Sequence, residues 1–295
     1  MTKNERESLM QNSNTENKGA TVKRTGQKEG FVQTLKEIWS YREMIASFVR
    51  RDLRGRYKGS VLGFLWTFIN PLLQLMVYTV VFTVILPSGI EDYPIHLFVA
   101  LIPWIFFSSS VNGGATSILA YKDMVKKIYF PREVLPIATV TTNFVNMLLC
   151  FIVVFGVAFV NGYIPTAGVH FIALLWLIPL FIIEYVLSLG VAFLAAAVTV
   201  YFRDMEHILG IFVMAMQFLT PVLYNFDQIN SEAAKTLLNL NPMSPIIQGY
   251  RNVIYNQQIP QNLMWLLYSF IVGLAVLIVG WFVFEKLKRR FAEEL

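Results

Sequence analysis

The sequence predicts an all-α integral membrane protein with six transmembrane helices, an N-terminal interfacial helix, and re-entrant helices between helices 5 and 6. Three observations carry this reading. Six apolar runs, each long enough to cross a bilayer of about 30 Å, fall at 61–86, 97–117, 134–160, 171–200, 208–224 and 264–284. Hydrophobic residues make up 56% of the 295-residue chain and charged residues only 15%, far from the balance of a soluble domain. The cations segregate as well: thirteen Lys and Arg precede residue 61, four lie between Lys122 and Arg132, Arg203 stands alone, and four follow Phe284. Lys235 and Arg251 are the exceptions. With alternating connections, this pattern places both termini in the cytoplasm and the chain in the cytoplasmic membrane.

Residues 1–29 are rich in Asn, Thr, Lys and Glu and hold little apolar surface to offset the entropy of ordering, so a disordered cytoplasmic tail is expected. No cleavable signal is apparent before the first run, which is therefore expected to direct insertion. Within 30–60, Leu35, Ile38, Trp39, Ile45, Phe48, Val49 and Leu53 return at helical spacing among charged residues. That pattern fits one or two amphipathic helices on the cytoplasmic interface, or a helix packed on a soluble partner. Arg50, Arg51, Arg54, Arg56 and Lys58 then anchor the junction beside anionic lipid headgroups.

Residues 61–284 form the transmembrane domain, and 285–295 a cytoplasmic C-terminal tail. Pro71 in the first run and Pro179 in the fourth remove backbone donors, so a kink or altered packing is expected at each. In the connection 121–133, Met124, Val125, Ile128 and Tyr129 are expected on one helical face beside Lys126 and Lys127, with Pro131 ending the helix. An apolar face rimmed by cations suits a cytoplasmic protein partner. The short turn 201–207, carrying Arg203 and Asp204, reads from its residues as a solvated turn. The segment 225–262 is too apolar for an ordinary loop: two short helices divided near Pro242 either dip into the outer leaflet or cap the outer surface.

Catalytic chemistry finds little support. His96, His170 and His207 are far apart with no metal-ligand spacing, and Cys150 stands alone inside the third run, where it reads as a small buried hydrophobe. No phosphate-cradling Gly-x-x-x-x-Gly-Lys-Ser/Thr motif occurs, so any ATP must be bound by another chain. No catalytic, cofactor or metal residue is assigned, and no basic stripe interleaved with aromatics points to nucleic acid. Glu184 in the fourth run is costly in a membrane interior unless paired or wet; it either lines a polar conduit or holds a neighbouring helix through a hydrogen bond.

Two stretches carry a family resemblance. Residues Arg51-Asp52-Leu53-Arg54-Gly55-Arg56-Tyr57-Lys58-Gly59-Ser60, continuing to Trp66 and Asn70-Pro71-Leu72, resemble the start of the membrane subunit of type-two ABC exporters for cell-surface polysaccharides. Lys126-Lys127-Ile128-Tyr129-Phe130-Pro131-Arg132-Glu133 is similar to that family's loop after its second membrane helix, and agreement continues through Arg203-Asp204, Thr220-Pro221-Val222 and Asn241-Pro242-Met243.

The resemblance implies the ABC-2 (type V) exporter fold: a second copy of the chain, and two copies of a separate cytoplasmic ABC ATPase that binds ATP and Mg. It makes 121–130 the coupling helix, with Arg203-Asp204 completing the ATPase contact. It places a glycan path near Tyr78, Phe82, Trp104, Phe106 and Phe107, with Glu184 nearby. It also gives Arg50, Arg51, Arg54, Arg56 and Lys58 a second reading, as contacts to the phosphate of an undecaprenyl-type lipid-linked polymer. Wall teichoic acid is the favoured cargo. O-antigen or capsule polysaccharide, a small-molecule exporter and a non-transporting membrane scaffold are the alternatives.

Overall fold

The computed structural model describes residues 31–55, 59–163 and 169–295. The expected tail 1–29, Arg56 and Lys58 lie outside the described residues. All regular structure among the described residues is helical. Helix α1 (Phe31–Ser40) is amphipathic. Helix α2 (Arg42–Gly55) buries Phe48 and packs against α6 (Val134–Val160).

The first apolar run forms a continuous helical segment, Gly63–Ile85. It begins as a 3₁₀ turn, continues as α3 (Trp66–Val80) and closes in a wider π turn. Pro71 does not end the helix. Its missing N–H leaves the Thr67 carbonyl without an intrahelical donor, and the Cys150 thiol lies 3.4 Å from that oxygen as a donor. Cys150 is thus a buried residue that also compensates a proline. Helix α4 (Tyr93–Thr116) starts a turn earlier than the apolar run, with a proline in its first turn, where a missing donor matters least. Sixteen of its twenty-four residues are buried, which makes it the central helix of the bundle.

Helix α5 (Lys122–Lys127) is short, and α6 coincides with the predicted run 134–160. The fourth run is broken into α7 (Val169–Leu175) and α8 (Leu177–Tyr201). The break comes just before Pro179, whose ring collides with the carbonyl four residues back, at Leu175. Helix α9 (Met205–Leu219) corrects the predicted run 208–224. Its 15 residues span only about 22 Å at 1.5 Å per residue. It stops because Pro221 follows Thr220, which is forced into an extended conformation (φ −110°, ψ 138°). Among the described residues five helices, against the six expected, are therefore long and apolar enough to cross a membrane, with α9 a shorter apolar helix beside them.

The segment 225–262 does hold two short helices, α10 (Glu232–Asn239) and α11 (Met243–Ile254), divided near Pro242. They differ in environment: α10 buries nothing, whereas ten of the twelve residues of α11 are buried. Helix α12 (Leu263–Leu287) completes the bundle. Beyond it, 285–295 is not merely a tail, because Phe291 of the terminal helix α13 (Phe291–Glu294) is fully buried against Phe284.

Small residues set the closest packing. A Cβ on Gly190 of α8 would stand 2.5 Å from the Leu277 backbone nitrogen of α12, and one on Gly280 would stand 2.5 Å from the Gly190 carbonyl oxygen. Two backbones approach this closely only where at least one of them carries no side chain at the contact. Helix α4 meets α8 in the same way at Gly114 and Ala192.

Candidate functional site

The bundle has two chemically distinct ends. At the basic end, α5, the 201–204 turn and the end of α12 carry the cations. At the other, the cap end, α11 packs against α4 and α10 lies against α11, and the Tyr93 hydroxyl of α4 donates to the Leu223 carbonyl at 2.9 Å.

At the basic end, α2 is fastened to the chain entering α5. The Tyr121 hydroxyl donates to Asp52 Oδ1 at 2.8 Å. The Phe48 and Tyr121 rings lie 5.3 Å apart, and the Arg51 guanidinium sits over both, 4.8 and 4.5 Å from their centroids. Burial, followed by the bond to Asp52, pushes the Tyr121 hydroxyl up to about 12, so it remains a donor at any physiological pH. Arg51, although exposed, is engaged by these two rings; Arg50 and Arg54 are exposed as well.

The predicted four-residue apolar face does not form. Val125 is buried, Met124 half-buried, and the helix ends at Lys127 with Ile128 extended (φ −125°, ψ 133°). Ile128 and Tyr129 instead project from the segment after the helix, 57% and 86% exposed, beside exposed Lys126 and Lys127. Pro131 came too late to mark the boundary. Arg203 and Asp204 are exposed on the turn between α8 and α9.

The same end contains a lock that sequence reasoning missed. Glu133, fully buried, is ion-paired with Lys288, which also pairs with Glu285 at 2.7 Å. The neighbouring Arg132 donates to the Lys288 carbonyl and stands over the Phe291 ring at 5.9 Å. Burial holds the Glu133 carboxyl above the ordinary carboxylate range, and the facing Lys288 ammonium opposes that shift. The only sequence signal for this lock was an acid beside the start of an apolar run.

The residues expected on a glycan path are not gathered on one open face. Trp104, Phe106 and Glu184 are buried inside the chain, while Tyr78, Phe82 and Phe107 are half-buried against the core. Phe106 borders a cleft of about 100 Å³ between α3, α4 and α6, whose polar lining includes Asn70, Gln74, Ser109 and Asn146. Glu184 accepts a 2.7 Å hydrogen bond from Tyr250 of α11, which matches the helix-holding alternative for this residue. Two helices are left largely uncovered: only Thr67 and Pro71 of α3 and only Val213 of α9 are buried. Apolar side chains such as Met76, Val84, Ile211 and Phe218 stand exposed on them.

The Tyr250 bond supports a first test. In Tyr250→Phe the Glu184 carboxyl loses this partner while the ring packing against Phe151 and Phe181 is kept. A loss of about 1–3 kcal/mol is expected. Adding Glu184→Leu should recover part of it, since both polar partners are then gone. Thermal unfolding of the two variants in detergent checks this, and a double variant no more stable than Tyr250→Phe alone would contradict it.

Among the described residues no cluster of three or more His, Cys, Asp or Glu is placed to hold a metal. What the fold defines is a multi-pass helical membrane protein whose basic end leaves Ile128 and Tyr129 exposed beside Lys126 and Lys127. Residues 44–255 match the ABC-2 type transporter family, and the chain belongs to that family. It is 36% identical over 271 residues to the O-antigen export system permease protein RfbA of Myxococcus xanthus, covering 90% of this chain and all of that one. The Klebsiella pneumoniae protein of the same name is 32% identical over 254 residues, 86% of this chain and 95% of that one. More distant is the polysialic acid transport protein KpsM of Escherichia coli, 23% identical over 234 residues, 77% of this chain and 89% of that one.

Proposed function

We propose that this chain is the membrane subunit of an ATP-driven exporter of a lipid-linked cell-surface polysaccharide, with a glycan of O-antigen or capsule type as cargo. The observation that carries the reading is end-to-end similarity to an O-antigen export permease, 36% identical over the whole of that protein. That similarity, with the more distant one to a polysialic acid transport protein, favours this cargo over the wall teichoic acid favoured under the family resemblance.

The basic end faces the cytoplasm under the positive-inside rule. There Ile128, Tyr129 and the adjoining Lys126 and Lys127 offer an apolar knob with a cationic rim to the separate ATPase, which binds ATP and Mg. Exposed Arg203 and Asp204 extend the contact. Arg50 and Arg54 stand where anionic headgroups, including a lipid-linked phosphate, would lie. The bare apolar faces of α3 and α9 suit a second copy of the chain, and the conduit then forms between copies rather than within one. ATP-driven closure of the two ATPase copies changes the separation of the membrane halves and moves the polymer.

The contact is tested by pull-down of the partner ABC ATPase. Ile128→Ser with Tyr129→Ser is expected to weaken capture at least tenfold, in line with about 1.4 kcal/mol or more lost from a contact centre, while Lys126→Gln with Lys127→Gln acts less and mainly at low salt. Wild-type capture by the Ser variant would reject this surface as the main contact. Val125→Ser is unsuitable, because it cuts into the buried interior.

A further inference from the structure

The cap end holds a cavity of about 650 Å³ bordered by α10, α11, the chain after α11 and the start of α12. This is the size of a small-molecule site. Half of its sixteen lining residues are Asn or Gln. An amide offers two donors and an acceptor oxygen, the same mixed character as a sugar hydroxyl. Several amides brace one another: Gln248 donates to Asn239 at 3.0 Å, Asn256 to Asn252 at 2.9 Å and Gln261 to Gln258 at 2.9 Å. Gln248 also donates to the Ser244 carbonyl at 3.4 Å and so keeps its oxygen as an acceptor, while the bonds of Asn256 and Gln261 use one N–H each, so the set is held in place while retaining capacity toward a ligand.

The fixed charges of the cavity are committed elsewhere. Glu232 and Lys235 pair with each other at 2.8 Å. Arg251, buried and facing no carboxylate, spends its donors on backbone: Nε on the His96 carbonyl at 3.3 Å, Nη2 on Val222 at 2.6 Å, and Nη1 on Tyr224 at 3.0 Å and on Pro221. It clamps the 221–224 turn onto α11 and has little left for a phosphate. Aromatic faces complete the lining. Trp265 is half-buried at the wall, and Tyr255, also in the lining, has its ring stacked on Tyr163 at 5.3 Å and 14°. His96 borders the cavity with its ring packed between Tyr93 at 6.3 Å and Tyr255 at 5.2 Å.

We propose that this cavity is a saccharide-binding site that takes neutral sugar residues of the exported chain as they leave the bundle, in preference to a phosphate-bearing polyol. Amides read the hydroxyls, and Trp265 and Tyr255 take the apolar ring faces. The identity of the sugar donor rests on the exporter reading, but the binding does not.

The test is saturation-transfer NMR on the full chain in zwitterionic nanodiscs, without ATP or ATPase. The probes are free trisaccharides of mannose, galactose and rhamnose, with a glycerol phosphate trimer as the charged comparison. Transfer to at least one neutral trisaccharide and none to the glycerol phosphate trimer is expected. Gln248→Leu with Asn252→Leu, and separately Trp265→Ala, should each weaken binding at least tenfold, while Trp265→Phe keeps most of it. Thermal unfolding verifies each variant, and Asn252→Trp, which fills the cavity from a half-buried position, replaces any that fails to fold. No transfer to any neutral sugar, binding indifferent to the folded variants, or stronger binding of the phosphate trimer would overturn the proposal. Because transport is not measured, failure here leaves the exporter reading intact, and failure of export leaves measured sugar binding intact.

Discussion

Gly280→Leu is expected to prevent assembly of the helical bundle. The first atom of the new side chain would stand 2.5 Å from the Gly190 carbonyl oxygen and 3.3 Å from Phe193 Cβ, and the three further carbons have no room on that face. Overpacking a core position typically costs about 1–3 kcal/mol where flexible side chains yield. Here the obstacle is the backbone of α8, so a loss above about 3 kcal/mol is expected, seen as absence of a monodisperse peak on size exclusion. Gly273→Ala is the comparison. Its Cβ meets Leu187 atoms at 3.4 and 3.5 Å, ordinary contact, and should cost little. A folded, transport-competent Gly280→Leu protein would show that α8 and α12 are not packed as described.

Lys288→Met is expected to have the second-largest effect. It keeps the length of the side chain but leaves fully buried Glu133 without its cation. Removing one partner of a buried pair costs about 3–5 kcal/mol, and because Lys288 is about a quarter exposed the lower end, about 3 kcal/mol, is expected. A pH signature separates this from lost packing. Glu133 has a folded-state pKa above its ordinary value, so the native state binds more protons than the unfolded state where this group titrates, and its contribution to stability falls as pH rises. Without Lys288 the shift grows. Stability of Lys288→Met should therefore recover on acidification through the range between the ordinary carboxylate pKa and the raised one, more than in wild type. Glu133→Gln in the Lys288→Met background should remove that recovery. Equal pH dependence in wild type and Lys288→Met would contradict the assignment.

The reach of the sequence can be judged residue by residue. Helix α6 was legible to its ends because its apolar run is uninterrupted. The arrest at Thr220 and the break before Pro179 follow from proline sterics, but the apolar run at 208–224 continues past Pro221 and hid the first of them. Proline chemistry also shaped an error in the opposite direction, since Pro131 suggested a helix through Ile128 that ends at Lys127. The side-chain pairs were not legible. Glu133 and Lys288 are 155 residues apart, Asp52 and Tyr121 69, and Glu184 and Tyr250 66. Periodicity gives a helix its apolar face but not its rotation against a neighbour, which is why Trp104 and Phe106, expected along a path, are core residues. The amide cavity was hidden for a related reason: the apolar residues of 225–262 give its two helices, but its scattered Asn and Gln share no site until α10, α11 and the start of α12 are brought together.

The central claim is export of a lipid-linked glycan. Its most direct test is reconstitution of the chain with its partner ABC ATPase in sealed vesicles carrying purified undecaprenyl-linked O-antigen. A lectin or glycosidase on the side opposite the ATPase should gain access to the glycan only when ATP and Mg are supplied, and lipid-linked teichoic acid should appear far more slowly. ATP turnover with no glycan reaching that side, or faster movement of teichoic acid than of O-antigen, would contradict the account.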